Sequence, residues 1–471
     1  MRVKRANDAP LPGVARNYQE QPSAAERRSQ GRSLRDSVLR ESQGAWNPTK
    51  DRHDPVEITI ESEKGRLPEL VPIRHERMSQ SAFGFLRGSA AVMAADLART
   101  PNSGINVQLC GDCHLLNFGG FATPERNQIF DIHDFDETAR GPWEWDLKRL
   151  AASIVVAGRH IGLSESDSVR AARAAARGYR ERMAEYSRMR VLDVWYDKID
   201  LIAVLEEAPN EEVRERVKKR IEKARAQSVA EHDFPKLVER QGTTTLIKDN
   251  PPLIYHLRSA RKQAEYSGAL DQAIADYRES LSEQHRVLFD RFRYRDMAIK
   301  VVGVGSVGTI CMVGLFMASD EDPLFLQAKE ARASVLEPYV GKSPYKNHGQ
   351  RVVAGRRLMQ AASDIFLGYT RGKILGRDCY VRQLHDMKIK VMLEGMEPSV
   401  FRAYSKLCGQ GLARAHARSG DVAVISGYMG SSDVFDDAIV EFSVAYADQT
   451  ERDYRAFVRA IRNGRLKVAN E

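Results

Sequence analysis

The chain has 471 residues, of which 42% are hydrophobic, and its 72 basic and 64 acidic residues give a formal net charge of +8. This length can bury a large core divided over two or three units, and no apolar run approaches the ~18 residues of a membrane helix. The mild positive charge is not gathered into the basic stripe that nucleic-acid-binding proteins show. A soluble, cytoplasmic protein is therefore expected, with neither membrane nor nucleic acid as a partner, while its oligomeric state stays open.

Residues 1–70 are polar, rich in Arg, Ser, Gln and Pro, and show little hydrophobic periodicity. This composition predicts a loosely packed and partly disordered N-terminal extension. The opening MRVKRANDAP has basic residues but no apolar segment after them, so no export signal is expected. Organised structure is expected from MSQSAFGFLRGSAAVMAADLART onward, because its apolar residues recur at helical spacing.

The stretch CGDCHLLNFGG, residues 110–120, contains two overlapping patterns. Cys110, Cys113 and His114 form CxxCH, the pattern of haem attachment, and the two cysteines also have the spacing of half a zinc site. Haem attachment belongs to exported proteins, and no second CxxC or HxxxH pair follows to complete four zinc ligands. Both interpretations are therefore disfavoured, and the cysteines are predicted to be small buried hydrophobes with reduced thiols.

The second pattern in this stretch is GDxxxxN, in which Asp112 and Asn117 have the separation of the catalytic Asp and the metal-binding Asn of kinase loops. The segments NFGGFAT and NQIFDIHDF, on either side of the polar turn PERN, predict a β-hairpin that ends in three aspartates. Carboxylate and amide oxygens suit Mg²⁺. We expect Asn117 and Asp134 to be its main ligands, with Asp136 and Asp131 behind them.

A buried helix is predicted for GPWEWDLKRLAASIVVAG, and further helices from Ser164 to about Glu231. The hydrophobic periodicity then changes from that of helices to that of strands. AIKVVGVGSVGTICMVGLFMAS predicts a strand, a glycine-rich turn and a second strand, and PLFLQAKEA predicts a third strand that carries Lys329 near its end. The glycines match GxGxxG, but a Rossmann fingerprint would need a helix directly after them, and strand residues follow instead.

A glycine-rich flap between antiparallel strands, followed by a lysine on the next strand, is how kinases hold nucleotide phosphates. On this pattern the flap residues Gly303, Gly305, Ser306 and Gly308 are predicted to bind ATP together with Lys329. The alternative is an ordinary hairpin turn with the lysine in solvent.

The order of these parts differs from that of ordinary kinases, in which the flap and the lysine precede the catalytic loop. Here they follow it, as a circular permutation would give. The fold class expected is α+β: a two-lobed, protein-kinase-like fold with a helix-rich large lobe and a small antiparallel-sheet lobe. The predicted units are a helical catalytic lobe at 71–290, a nucleotide-binding β lobe at 291–390, and C-terminal helices at 391–471 that complete the catalytic lobe.

From about residue 50 to its end the chain resembles the bacterial family called domain of unknown function 2252, through LVPIRHERM, FGFLRG, CGDCHLLNFG, FDIHDFDE, GPWEWDLKRLA, VVGVGSVGT, LFLQAKEA and YVRQL. More distantly, GDCHLLN and DFD followed by WDLKRLA resemble segments of aminoglycoside phosphotransferases and choline kinases. That resemblance implies Asp112 as the catalytic base and Asp146 as a structural anchor of its loop. It also implies Asn117 and Asp134 as magnesium ligands.

The sequence departs from these relatives in two places. Cys110 stands before Gly111 where they have His. No acidic partner for Lys329 is evident on the following helix, because Glu330 and Glu337 are too close in the chain and Gln350 stands where a glutamate is wanted.

Taken together, the motifs predict an ATP- and Mg²⁺-dependent phosphotransferase that acts on a small hydroxylated acceptor. Asp112 would accept the proton of the acceptor hydroxyl. His114 would orient it or contact substrate, unless it only makes a structural hydrogen bond. The alternatives are a nucleotide-binding pseudokinase, an AMP-transferring enzyme, or a non-enzymatic partner-binding protein on a kinase-like scaffold.

Overall fold

The computed structural model describes residues 22–206, 234–242, 244–256, 260–370, 376–384, 389 and 391–469, with isolated positions between 211 and 222. Residues 1–21 of the predicted extension lie outside this part of the chain, as do residues 207–210, 223–231 and several positions between them, at the end of the helical stretch predicted to reach about Glu231. Within the described residues the protein belongs to the α+β class, because helices and antiparallel strands are both well represented and occupy separate stretches of the chain.

The described helices are α1 (Ala24–Ser33), α2 (Pro55–Glu63), α3 (Val71–Ser79), α4 (Ala82–Gly88), α5 (Ala90–Leu97), α6 (Glu144–His160), α7 (Glu165–Tyr186), α8 (Val191–Tyr196), α9 (Leu201–Glu206), α10 (Phe234–Leu237), α11 (Ala260–Ser280), α12 (Glu283–Phe289), α13 (Glu337–Val340), α14 (His348–Met359), α15 (Pro398–Ala417), α16 (Val422–Met429) and α17 (Val434–Arg462).

The described strands are β1 (Asn106–Leu109), β2 (Phe118–Ala122), β3 (Gln128–Ile132), β4 (Ala139–Pro142), β5 (Ile199–Asp200), β6 (Val238–Gln241), β7 (Thr244–Ile247), β8 (Ile254–Tyr255), β9 (Arg293–Lys300), β10 (Cys311–Ser319), β11 (Asp322–Glu330), β12 (Gly368–Tyr369) and β13 (Cys379–Gln383).

The largest sheet has six strands in the order β12-β13-β11-β10-β9-β8, all paired antiparallel. It includes the three strands predicted around the glycine-rich segment. Lys329 stands opposite Cys311 on one neighbour and Tyr380 on the other, so it occupies the middle of the sheet. The predicted hairpin is also present: β2 pairs with β3, with Phe118 opposite Ile132. These two elements carry most of the predicted site residues.

The helical body is built around α6, α7, α15 and α17, which pack against one another. Along the contact of α7 with α15 the residues are small, so the two backbones come close. A Cβ atom on Gly409 would lie 2.0 Å from the carbonyl oxygen of Ala175, and one on Gly178 would lie 2.8 Å from that of Lys406. The alanines of α7 that face this contact are fully buried. Close backbone packing therefore fixes the position of α15, which supports the site from behind.

The structure differs from the loose extension predicted over residues 22–70. Helix α1 packs along α16, and Gln43 is buried with its side-chain amide donating to the hydroxyl of Tyr428 at 3.0 Å. The guanidinium of Arg52 pairs with Asp96 at 2.7 Å and with Asp453 at 2.6 Å. Polar residues that lack helical periodicity in the sequence thus attach this segment through long-range hydrogen bonds and ion pairs.

The boundary between the helical body and the sheet lies earlier than the predicted residue 290. Tyr277, Leu281 and Phe289 form one apolar cluster with side chains of the large sheet, including Phe316 and Leu326. Strand β8 is itself the edge of that sheet. Helices α11 and α12 therefore belong with the sheet, because the apolar faces they bury are completed by its strands.

None of the described helices combines the length and the apolar character that crossing a membrane would require.

Two glycines of α15 give a test of the close α7 contact. Gly409→Ala places a methyl group into the Ala175 carbonyl, whereas a Cβ on Gly411 would meet only ring carbons of Phe118 and Phe130 at 3.6 Å. We expect Gly409→Ala to lower the free energy of unfolding by about 1–3 kcal/mol or more, because overpacking against backbone cannot relax easily. Gly411→Ala should be neutral or stabilising by up to about 1 kcal/mol, from helix propensity. Urea titration of both variants tests this, and equal stabilities would contradict the packing described.

Candidate functional site

The loop between β1 and β2 carries the GDxxxxN pattern, and its backbone is held by Asp146 in the first turn of α6. Gly111 has a φ of +87°, and a Cβ atom there would lie 2.2 Å from the carbonyl oxygen of Glu137, so only glycine fits. The carboxylate of Asp146 accepts hydrogen bonds from the N–H groups of Cys110 (2.7 Å) and Gly111 (3.0 Å). Asp146 thus anchors this loop, as the resemblance implies.

Asp146 is in turn held by the core of the helical body. His416 Nε2 lies 3.3 Å from Asp146 Oδ2, and the hydroxyl of Tyr179 lies 2.9 Å from His416 Nδ1. All three side chains are buried. Because a buried carboxylate is costly unless it is hydrogen-bonded, these partners stabilise Asp146 and tie the loop to α7 and α15.

Asp112 lines the cleft, and its carboxylate is oriented by Arg149 of α6. Arg149 Nε donates to Asp112 Oδ1 at 2.7 Å, and Nη2 donates to the same oxygen. Arg149 Nη2 also donates to the Leu86 carbonyl at 3.0 Å, which fixes the guanidinium. Among the described residues, Asp112 Oδ2 accepts no hydrogen bond. One carboxylate oxygen is therefore fixed and the other is available to a substrate proton.

Asn117 and Asp134 offer the oxygen atoms that a magnesium ion would need. Asn117 Nδ2 donates to the backbone carbonyl of Asp112 at 2.5 Å, which leaves its amide oxygen without a donor in the described part of the chain. Asp134 Oδ1 accepts from the N–H of Asp136 at 3.2 Å and from no other donor among the residues described. Burial acts to raise the pKa of Asp134, but the positive charges of Lys329 and Arg382 lower it below its usual value. Asp134 is therefore a charged carboxylate.

Asp131 is not brought to this cleft. It and Arg414 are both fully buried, and Arg414 Nη2 lies 2.6 Å from Asp131 Oδ1. The other carboxylate oxygen accepts the N–H of Ala361 at 2.9 Å. Asp131 lies within β3, where it faces α15 rather than the cleft, whereas Asp134 and Asp136 follow the strand. Asp131 is therefore part of a structural ion pair with Arg414 and does not lie behind the predicted magnesium ligands.

Lys329 is buried in the sheet and pairs with the hairpin. Its Nζ lies 2.6 Å from Asp136 Oδ2 and 4.0 Å from Asp134 Oδ2. Asp136 also accepts from the hydroxyl of Tyr380 at 2.6 Å and from Ser306 Oγ at 3.3 Å. Burial alone would lower the pKa of Lys329, but the charges of Asp134 and Asp136 hold it well above its usual value. Lys329 is therefore a fixed cation at the base of the flap.

The acidic partner of Lys329 thus comes from the hairpin and not from the helix that follows the lysine. That helix, α14, supplies arginines instead: Arg351 Nη2 donates at 2.7 Å to the backbone carbonyls of Asp136 and Arg332. Glu330 accepts the N–H of Ile310 at 2.9 Å and so holds the end of the flap. Asp136 lies far upstream of Lys329 in the chain, so the residues that follow the lysine, including those around Gln350, give no indication of this partner.

These elements surround one cleft with an empty volume of about 1200 Å³, part of it open solvent. Most of the predicted site residues line it: Asp112, His114, Asn117, Asp134, Asp136, Gly303, Gly305 and Ser306. Lys329 adjoins it through Asp136, while Gly308 lies against the side chain of Arg66, with a built Cβ 3.1 Å away. Gly303 and Gly308 have φ values of +68° and +87°, a conformation that favours glycine.

His114 is buried in the wall of the cleft, and its Nδ1 has no hydrogen-bond partner among the described residues. Burial lowers the pKa of His114 to about 3; the negative charge of Asp112 opposes this, and the nearby Arg87 and Arg149 add to it. The ring is therefore neutral over the physiological range of pH. It can offer a neutral donor or acceptor to a ligand, but it does not supply positive charge.

Cys110 and Cys113 are buried in the main apolar core, as predicted. Burial raises the pKa of the Cys113 thiol to about 11 and that of Cys110 well above its usual value. Their sulfur atoms lie within 4.8 Å of an Asp146 oxygen, but that carboxylate already accepts two loop N–H groups. Protonated thiols are poor metal ligands, so the pair serves the core.

The sequence pattern gave no signal for an arginine wall that faces the acidic residues. Its members are Arg66, Arg74 and Arg87, which lie between residues 66 and 88, and Arg332, which lies just after β11. Burial lowers the pKa of Arg66 to about 9, and the neighbouring Arg74 and Arg332 contribute to this shift. The cleft therefore has an acidic floor and an electropositive wall.

With this geometry established, comparison with known proteins assigns the family. The family model described as "Uncharacterized protein conserved in bacteria (DUF2252)" matches residues 66–460. The chain belongs to this family. No curated protein and no solved structure matches the chain. The matched range contains the Asp112 loop, the hairpin, the flap and Lys329, whereas α1 and α2 precede it.

The contacts that Arg149 and Tyr380 make with Asp112 and Asp136 were also not predicted from the sequence. Arg149 comes three residues after Asp146, one helical turn further along α6, so the anchor of the loop and the partner of Asp112 share a face. That spacing in WDLKR was the available signal. Tyr380 lies opposite Lys329 in the sheet register, which only the strand pairing reveals.

The neutral state of His114 predicts a pH effect on stability. Its pKa of about 3 in the folded protein lies below the value of about 6.5 in an unfolded chain, so the unfolded state binds the extra proton between these pH values. The free energy of unfolding contributed by this residue should therefore fall by about 2 kcal/mol from pH 7 to pH 5. Urea titrations at both pH values should show a smaller fall for His114→Gln. An identical fall in variant and wild type would contradict a buried, neutral His114.

Proposed function

We propose that the protein is an ATP- and Mg²⁺-dependent phosphotransferase that acts on a small hydroxylated acceptor. The single observation that carries the proposal is the cleft itself, because residues far apart in the chain meet there in complementary roles. The Asp112 loop, the Asp134 hairpin and the glycine-rich flap share one lining. Positioning and charge stabilisation are most of what phosphoryl transfer asks of a protein.

The residues present fit a magnesium ion. The amide oxygen of Asn117 and the charged carboxylate of Asp134 line the same cleft, and both are hard oxygen ligands. A bound magnesium ion would neutralise the charge of the phosphate oxygens. Asp136 is held by Lys329 and Tyr380, so its first role is to position the lysine.

The residues present also fit nucleotide phosphates. The backbone of the flap from Gly303 to Ser306 lines the cleft, and Glu330 fixes the end of the flap through the N–H of Ile310. Backbone N–H groups in such turns bind phosphate oxygens, and a permanently charged Lys329 lies next to them. The protein-kinase-like arrangement of two lobes, in permuted order, is part of this proposal.

Asp112 would accept the proton of the acceptor hydroxyl. Arg149 fixes Asp112 Oδ1, which leaves Oδ2 for the hydroxyl, and positioning of this kind favours reaction from the bound geometry. Phosphoryl transfer depends mainly on positioning and charge stabilisation, so the reaction needs from Asp112 a fixed carboxylate within reach of the hydroxyl.

A second candidate is a nucleotide-binding protein without transfer. It is favoured by the same ion pair, because Arg149 already gives the Asp112 carboxylate a counter-charge and two hydrogen bonds. The two candidates predict the same nucleotide affinity and differ in whether ADP is formed.

Nucleotide binding is tested by thermal unfolding with and without Mg-ATP. We expect Mg-ATP to raise the unfolding midpoint, since a ligand at a hundredfold excess over its Kd adds about 2.7 kcal/mol to stability. Lys329→Met should abolish the shift. Lys342→Met, which removes an exposed lysine outside the cleft, is the matched control and should retain it. A shift that persists in Lys329→Met, or is absent from the wild type, would contradict the proposed nucleotide site.

Catalysis is tested by the rate of ADP formation in Asp112→Asn. We expect a fall of about 10²- to 10⁴-fold, the usual contribution of a general base, with the Mg-ATP stability shift retained. Retention of the shift separates loss of catalysis from loss of the fold. Wild-type activity in Asp112→Asn would remove the assignment of this residue, and no ADP formation by the wild type would favour the second candidate.

A further inference from the structure

Arg87 stands apart from the other arginines of the cleft because, within the described part of the chain, its guanidinium makes no hydrogen bond. It lies in the last turn of α4 and lines the cleft. Among the described residues its guanidinium makes no hydrogen bond and no ion pair, and its Nε is buried without a partner. The guanidinium lies over an aromatic ring, with its carbon 5.8 Å from the ring centroid of Phe83. An arginine fixed in this way is prepared to bind an anion.

The other arginines of the wall are already engaged. Arg74 Nη1 pairs with Glu63 at 2.5 Å. Arg66 Nη1 donates to the carbonyl of Val307 at 2.6 Å, and Arg332 Nη1 donates to that of Ser62 at 3.2 Å. These three side chains hold the segment around α2 and α3 against the flap and β11. Arg87 does not share this structural role.

A helix C-terminus attracts basic side chains, and this offers a structural reason for an arginine at the end of α4. Arg87, however, donates to none of the last carbonyl groups of that helix. The carbonyl of Gly88 is taken by Arg74 and that of Leu86 by Arg149. The helix end therefore does not need the guanidinium, which faces the cleft instead.

The position of Arg87 relative to the carboxylates places it on the acceptor side. Arg149 joins the end of α4 to Asp112, since its Nη2 donates to the carbonyl of Leu86 at 3.0 Å and its Nε donates to Asp112 Oδ1 at 2.7 Å. Burial lowers the pKa of Arg87, and the charge of Asp112 opposes this. Asp112 has its own counter-charge in Arg149, so Arg87 is not required to neutralise it. An anion bound by Arg87 would therefore lie beside the hydroxyl that Asp112 would activate.

We propose that Arg87 binds an oxyanion of the acceptor, so that the substrate is a hydroxy compound carrying a carboxylate or a phosphate group near the reacting hydroxyl. The planar guanidinium fork matches either group. The identity of the reacting hydroxyl rests on the proposed function, whereas the oxyanion site rests on the geometry of Arg87 alone. His114, neutral and next to Asp112, adds a polar ring to the same wall.

Three probes with one carbon skeleton test the oxyanion site in the full chain without nucleotide: glycerol, glycerate and glycerol 3-phosphate. Isothermal titration calorimetry should detect binding of at least one of the two anions at millimolar concentration and no binding of glycerol. The anion that binds more tightly identifies the source of the oxyanion. Arg87→Gln should weaken that binding about ten- to hundredfold, the usual loss for hydrogen bonds to a charged group. Arg87→Lys, which keeps the charge but not the fork, should lose less.

Arg140→Gln is the matched control, because it removes one exposed positive charge outside the cleft and should leave anion binding unchanged. Equal affinity of the wild type and Arg87→Gln for both anions would overturn the proposal, and so would the absence of anion binding by the wild type. Loss of the Mg-ATP stability shift in Arg87→Gln, with anion binding intact, would also overturn it, since the arginine would then serve the nucleotide. Loss of anion binding in a protein that fails to bind Mg-ATP would support the oxyanion site while refuting the phosphotransferase.

Discussion

The carboxylate of Asp136 is the point at which the sheet and the helical body are joined at the cleft. Three groups donate to it: Lys329 from β11, Tyr380 from β13, and Ser306 from the flap. The Asp136 backbone carbonyl is held in addition by Arg351 of α14. Each donor comes from a part of the chain far downstream of the hairpin, so the architecture of the site depends on these long-range contacts. An unpaired lysine or aspartate buried here would cost several kcal/mol, which makes the junction specific.

A second network on the other side of the cleft positions the loop that carries Asp112 and Asn117. Asp146 and Arg149 are separated by one turn of α6, and they hold the loop backbone and the carboxylate of Asp112 respectively. Behind Asp146, His416 and Tyr179 continue the network into α15 and α7. The close packing of α15 against α7 at Gly409 is therefore connected to the loop through side chains that are all buried. The backbone of the loop and one carboxylate oxygen of Asp112 are thus held by buried side chains of the helical body.

The sequence was sufficient to predict elements whose pattern is local. The hairpin of β2 and β3, the strands on either side of the glycine-rich flap and the long C-terminal helices all follow from hydrophobic periodicity and turn residues. The GDxxxxN spacing likewise placed Asp112 and Asn117 in one loop.

What the sequence could not give is the pairing of residues distant in the chain. Asp131 and Asp136 are equally plausible metal ligands by composition, yet one faces Arg414 in the core and the other faces Lys329. The two residues are five positions apart in the chain, and only the packed structure shows which neighbours each of them faces. The attachment of residues 22–70 was missed for the same reason, because Arg52 and Gln43 act through single long-range contacts that leave no periodic pattern.

Residues 66–88, which precede the Asp112 loop, form a wall of the cleft and also hold the flap. Arg66 and Arg77 donate to the carbonyls of Val307 and Gly303, and the N–H of Leu67 donates to the carbonyl of Gly308 at 2.7 Å. The flap therefore cannot lift from the cleft without breaking hydrogen bonds to the segment that also carries Arg74 and leads into α4. Because Arg87 stands at the end of α4, one continuous stretch of chain both holds the flap and carries this arginine of the cleft wall.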